Sequence, residues 1–132
     1  MTREDVATLK AGFGAMAEGG FEALLPFIHP EFEVTIPPEL SLEPDTYRGP
    51  AGMRRYFESF YEVVDEVRFE PEDFIDVGRR VVVPMKVIVR GRGSGAEGAQ
   101  SFVQVWELRD GLAYRIEVFT SLAEAMAAAR AA

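Results

Sequence analysis

The chain contains no cysteine. That removes disulfides, thiolate nucleophiles and every zinc or iron–sulfur site built on sulfur. It contains one histidine, His29, and one tryptophan, Trp106. A lone imidazole is too little for a zinc site, and no cluster of inward carboxylates is visible for magnesium, so no metal or other cofactor is expected. Basic charge is scarce: 14 Lys and Arg against 22 Asp and Glu give a formal charge of −8. Such a surface repels phosphate backbones and anionic lipid, so neither nucleic acid nor a membrane is expected as a partner. No apolar run approaches the roughly 18 residues of a spanning helix. Met1 to Asp5 carry charge rather than the apolar stretch of a signal peptide, so the cytoplasm is the expected compartment. One apparent cofactor motif fails on context. Gly93-Ser94-Gly95-Ala96-Glu97-Gly98 matches GxGxxG, but a dinucleotide loop must lead into a helix whose N-terminus holds the pyrophosphate. Here it leads into a β-rich run and reads as a hairpin turn.

What is present is a single domain's worth of patterned sequence. The 132 residues, 48% of them hydrophobic, suffice for one buried core, without repeats or linkers over 1–132. Arg far outnumbers Lys and Ala is abundant, which points to a GC-rich bacterial coding sequence. Val6, Leu9, Phe13 and Met16 recur at helical spacing, and Gly19-Gly20 ends that helix. Phe21, Leu24, Leu25 and Phe27 suggest a short second helix, stopped at His29-Pro30. Phe32, Val34 and Ile36 alternate with polar residues, as in a half-buried strand closed by Pro37-Pro38. Glu39 to Arg48 has no period and reads as a loop. Pro50 suits the first turn of a third helix, with Met53, Tyr56, Phe57, Phe60 and Val64 on its apolar face. Val67 to Val77 reads as a strand disturbed by Pro71. Arg79 to Arg92 reads as a second, in which Pro84 predicts a bulge or an edge position.

The last quarter is the most regular. Phe102, Gln104, Trp106 and Leu108 share one side of a strand, Asp110-Gly111 makes a two-residue turn, and Ile116, Val118 and Thr120 line up on the returning strand. Ser121 to Glu124 is a capping box opening a last helix whose buried stripe is Leu122, Ala125, Met126 and Ala129. Helices first and consecutive strands later predict an α+β fold with an antiparallel sheet. In the Arg79–Arg92 run, Val81, Val83, Met85, Val87 and Val89 are assigned inward. Val82, Lys86, Ile88 and Arg90 make an outer face suited to a two-fold homodimer.

This order, with the segments Gly19 to Leu25, His29-Pro30-Glu31-Phe32, Tyr47-Arg48-Gly49, Arg109-Asp110-Gly111 and Ile116 to Phe119, resembles the nuclear transport factor 2-like superfamily, and within it the SnoaL-like group. The resemblance implies a cone: a strongly curved antiparallel sheet wrapped around N-terminal helices, enclosing an apolar cavity. It also implies small-molecule chemistry of several kinds, including polyketide cyclases, steroid isomerases, epoxide hydrolases and non-catalytic members. Their catalytic positions do not carry over. The carboxylate base of the isomerases falls on Ile36, their tyrosine near Gly12 and their carboxylic acid on Gln104. The last-strand carboxylate of the hydrolases falls on Val118, and the acid/base position of the cyclases on Gln104, which cannot titrate.

The candidate pocket residues are therefore Gln104, Trp106, Tyr56, Phe60, Met16, Val118 and Thr120. Gln104 either hydrogen-bonds a ligand carbonyl or satisfies a core group. Trp106 and Tyr56 either contact the ligand or simply pack. His29 sits at a surface-type junction, and Asp73 and Asp76 flank a strand end where solvation suits them. Three functions compete: an enzyme acting on an apolar carbonyl compound, a non-catalytic protein binding a small apolar molecule, and an association domain using the outer sheet face. The family's record favours the enzyme; the missing carboxylates favour the binder.

Overall fold

The computed structural model describes residues 3–36, 46–61, 64–78, 80–91, 93 and 95–131. Helix α1 (Arg3–Gly19) leads into a 3-10 turn, Phe21–Phe27, and strand β1 (Ile28–Thr35). The loop expected from Glu39 lies outside the described residues, except that Thr46–Arg48 form the short strand β2. Helix α2 is Gly49–Tyr61, so Val64 belongs to the next strand and not to the helix face. Strands β3 (Val64–Pro71), β4 (Ile75–Asp76), β5 (Val81–Gly91), β6 (Glu97–Arg109) and β7 (Leu112–Phe119) precede helix α3 (Leu122–Arg130). The glycine loop joins β5 to β6, strand to strand, with Gly93 and Gly95 at φ 81° and 70°.

The seven strands form one open sheet in the order β2-β1-β7-β6-β5-β3, with β4 also on β5. One expectation needs correction: the sheet is mixed. β1 runs parallel to β7, with Val34 opposite Ile116, while all other pairs are antiparallel. A parallel neighbour is possible because the whole of the intervening chain serves as the crossover. The two prolines act as their chemistry requires. Pro71 ends β3, and the strand expected over Val67–Val77 resumes only as β4. The Pro84 carbonyl accepts from the Glu72 N–H at 2.8 Å. Because a strand residue's N and O point the same way, its missing donor faces the gap between β3 and β4, and pairing with Val103 on β6 is undisturbed.

The helices and turns explain why the inner face is covered. Gly49, at φ 68°, turns the chain from Tyr47 into α2, and Tyr47 and Tyr56 then pack with ring centroids 5.5 Å apart. At Gly52 a Cβ would stand 2.9 Å from the Tyr47 carbonyl carbon. Gly52→Ala should therefore lose about 1–3 kcal/mol, outweighing the gain of about 1 kcal/mol from helix propensity, and a thermal melt should show it as a drop of several degrees. At the hairpin, Asp110 and Gly111 have φ 55° and 75°, the signs a type I′ turn requires.

The main core lies between the inner sheet face and α1, the 3-10 turn and α2, and contains Val81, Val83, Met85 and Val87 as assigned from the alternation. A second, smaller core lies on the other face. There Val82, Val103 and Val105 pack under Ala125 and Ala129 of α3. Val82 is fully buried by that helix and is not available to a second copy of the chain, which corrects the outer face drawn from the strand alone. Within α3 the buried residues are Ala125 and Ala129; Leu122, the first residue of the helix, is 46% exposed, contrary to expectation. Ser121 caps the helix by accepting from the Glu124 N–H at 3.3 Å. Arg80 holds its other end, donating to the Ala131 carbonyl at 2.6 Å, where the helix dipole favours a cation. Its Nε lies 3.8 Å from Glu107.

Candidate functional site

Between α1, the 3-10 turn and the β6–β7 hairpin lies a cleft of about 30 Å³, or about 540 Å³ counting its crevices and open mouth. Strand geometry puts Gln104 and Trp106, two residues apart, on the same inward side of β6. α1 presents Leu9, Phe13 and Met16 to them, and Tyr56 reaches in from α2. Half-buried Thr8, Phe27, Phe69 and Leu108 also line it, the first with a hydroxyl. The narrow volume holds about two waters, so a larger guest must move side chains. Met16 is unbranched and the adaptable member of the wall.

Of the seven residues expected to form a pocket, the structure brings Gln104, Trp106, Tyr56 and Met16 to this cleft. Val118, opposite Gln104 on β7, is buried in the same core but does not line it. Thr120 is exposed: β7 ends at Phe119 and the chain bends toward the Ser121 cap, carrying Thr120 off the inner face. The side chain of Phe60 lies outside what is described. The sequence reading missed Gly12. This mid-helix glycine is buried and lines the cleft, and a Cβ there would meet Leu24 and Phe27 at ordinary contact distances of 3.6 Å and beyond. An alanine-preferred position left as glycine on an apolar helix face was the available signal.

Gln104 is the one buried polar residue among those described, 3% exposed. Its Oε1 accepts a 2.8 Å hydrogen bond from the Trp106 indole N–H. The indole can only donate, so the amide orientation is fixed and its NH2 is the polar function left over. Phe13 holds the indole edge-to-face at 5.5 Å and is itself braced by Phe74 at 5.8 Å. Burial, and to a lesser degree the neighbouring Tyr47, push the Tyr56 phenol well above its ordinary pKa. It is a neutral hydroxyl at every physiological pH.

The histidine and the carboxylates considered as candidates lie elsewhere. His29 is outside the cleft; its Nδ1 accepts from the Glu31 N–H at 3.0 Å and its ring stands against Tyr114. Asp73 and Asp76 are exposed and accept from the backbone N–H groups of Phe74 and Gly78. Glu107, opposite Arg115 on β7, faces Arg80. Among the described residues no group of three or more His, Asp or Glu could hold a metal ion, and no helix is long and apolar enough to cross a membrane.

The family model for the SnoaL-like domain matches residues 9–116. The chain belongs to the SnoaL-like family. Its curved, unclosed mixed sheet around N-terminal helices is the cone fold of nuclear transport factor 2-like proteins. Among solved structures it is similar to TerC co-crystallised with polyporic acid, at 27% identity over 92% of this chain and 94% of that one, with a TM-score of 0.75. A nuclear transport factor 2-like protein from Burkholderia xenovorans LB400 is also 27% identical, over 99% and 98% of the two chains, with a TM-score of 0.70. One of unknown function from Burkholderia pseudomallei K96243 shares the fold at a TM-score of 0.78 and 23% identity, over 98% of this chain and all of that one. No curated protein sequence matches the chain.

Proposed function

We propose that this SnoaL-like domain binds a small apolar molecule carrying a carbonyl group, seated in the cleft beside β6 with its oxygen on the Gln104 amide. The observation that carries this reading is the buried Gln104, a single amide with spare donors set in an otherwise largely apolar wall. Small-molecule sites are built this way, from apolar area with a few placed polar groups. The similarity to TerC, which was co-crystallised with polyporic acid, supports a small organic ligand. The described lining residues include no Asp, Glu, His or Lys, and Tyr56 stays protonated. That favours binding over acid–base catalysis, which needs a group able to give up or take a proton near the working pH.

The test is a titration with 2-acetylnaphthalene, a flat apolar ketone, followed through the indole and side-chain amide signals of the isotopically labelled protein. Trp106 is the only tryptophan, so its indole signal needs no assignment. Saturable shifts of the Gln104 NH2 pair are expected. Gly12→Ala should weaken the ketone by about tenfold, since it places a methyl in the cleft, while raising thermal stability through about 1 kcal/mol of helix propensity. Absence of saturable shifts across a panel of aryl and cycloalkyl ketones would contradict the reading. So would a Gly12→Ala variant that binds as well as the parent.

A further inference from the structure

We infer that Trp106 is a positioning residue that sets the chemical class of ligand: by engaging Oε1 of Gln104 it leaves that amide a donor-only group, which favours ketones and quinones over the matching alcohols. The inference rests on the proposed ligand-binding reading of this cleft. An unconstrained glutamine amide can turn either its oxygen or its nitrogen to a ligand, and so accepts both donors and acceptors. Here the choice is removed. The indole N–H lies 2.8 Å from Oε1, and both residues are nearly inaccessible, at 5% and 3% exposure. Turning the amide over would set N–H against N–H and leave both unsatisfied in a buried site.

The indole cannot turn away to allow this. Phe13 meets it edge-to-face at 67° on one flank, and Phe13 is braced by Phe74 in the same manner at 71°. The bond from Trp106 is the only hydrogen bond to the Gln104 side chain among the described residues. What remains is a pair of N–H donors. A ketone oxygen satisfies one and brings no proton of its own. An alcohol of similar size can accept too, but its hydroxyl proton finds no acceptor on the amide, whose oxygen is already engaged by the indole. A ligand donor left unpaired in a buried site costs affinity, and the ketone avoids that cost.

The experiment compares 2-acetylnaphthalene with the two enantiomers of 1-(2-naphthyl)ethanol, close in size, by calorimetry on the parent protein and on Trp106→Phe. The parent should prefer the ketone by tenfold or more. In Trp106→Phe the amide is free to turn, so the preference should collapse to threefold or less, mainly because the alcohol binds better. A purely structural role for Trp106 would weaken both ligands alike and leave their ratio unchanged; that result overturns the inference. A parent that binds ketone and alcohol equally overturns it too, while the ligand-binding reading stands. A parent that binds neither overturns both. Should Trp106→Phe fail to fold, the parent's signals decide: on ketone binding the Gln104 NH2 pair should move and the indole N–H should stay. An indole signal that moves as if its bond had been lost contradicts the inference.

Discussion

Gln104→Glu should make this protein about 3–4 kcal/mol less stable at pH 7, with little loss at pH 4. Glutamate has nearly the shape of glutamine, and its protonated form can still accept from the Trp106 indole. The ionised form cannot be accommodated cheaply: the site is buried, and no Lys or Arg lines the cleft among the described residues. Desolvation disfavours the charged form and raises the folded-state pKa above the unfolded value of about 4.3. The folded state then binds its proton more tightly than the unfolded state. Stability is retained below the unfolded pKa and falls as pH rises from there to the folded pKa, after which it levels off. The span from about 4.3 to 7 sets the size of the loss at pH 7, at about 1.4 kcal/mol per unit. Thermal melts of the variant and parent between pH 4 and 8 measure it. Parallel profiles would mean that the position is solvated.

Phe32→Ala should cost about 3–5 kcal/mol, a large share of the roughly 5–15 kcal/mol typical of a whole domain. Phe32 is wholly buried on β1, the strand at which the sheet changes from antiparallel pairing with β2 to parallel pairing with β7. The β1–β7 register shifts between Ile28 and Glu33, so Phe32 lies where that ladder is interrupted and its packing carries more of the junction. Urea unfolding should show a midpoint lower by about 2 M at unchanged slope. Phe32 does not line the cleft, so the folded fraction of the variant should bind 2-acetylnaphthalene within about twofold of the parent. A midpoint shift under about 0.5 M would mean that the β1–β7 junction is held by something else.

Much of this architecture was legible locally. The period-two pattern of β6 places Gln104 and Trp106 together on the inner face, although a shift between Glu107 and Leu108 moves the β6–β7 register by one residue from that of the Asp110-Gly111 turn. Ser121 announced α3, and Pro71 and Pro84 marked the interruption on the β5 edge. What the sequence could not disclose was non-local. The β1–β7 pair joins segments some eighty residues apart, and nothing in either segment states the direction of its neighbour. Val82 read as an outward residue, which it is; the helix covering it is encoded forty residues later. Thr120 kept the strand's period but fell past its end. Gly12 was signalled only by the side chain it lacks on an apolar helix face. The Trp106–Gln104 bond was the most informative omission. Both residues were candidates, but their spending of one polar atom on each other, which decides what is left for a ligand, follows only from coordinates.

The central claim is that the Gln104 amide donates to a ligand carbonyl. It is tested most directly by a crystal structure of the protein with 2-acetylnaphthalene bound. The account requires the ketone oxygen at about 2.7–3.2 Å from Gln104 Nε2, with the Trp106 indole still on Oε1 and Met16 or Phe27 moved to make room. A ketone seated elsewhere, or bound in the cleft with its oxygen turned away from Gln104, would contradict it.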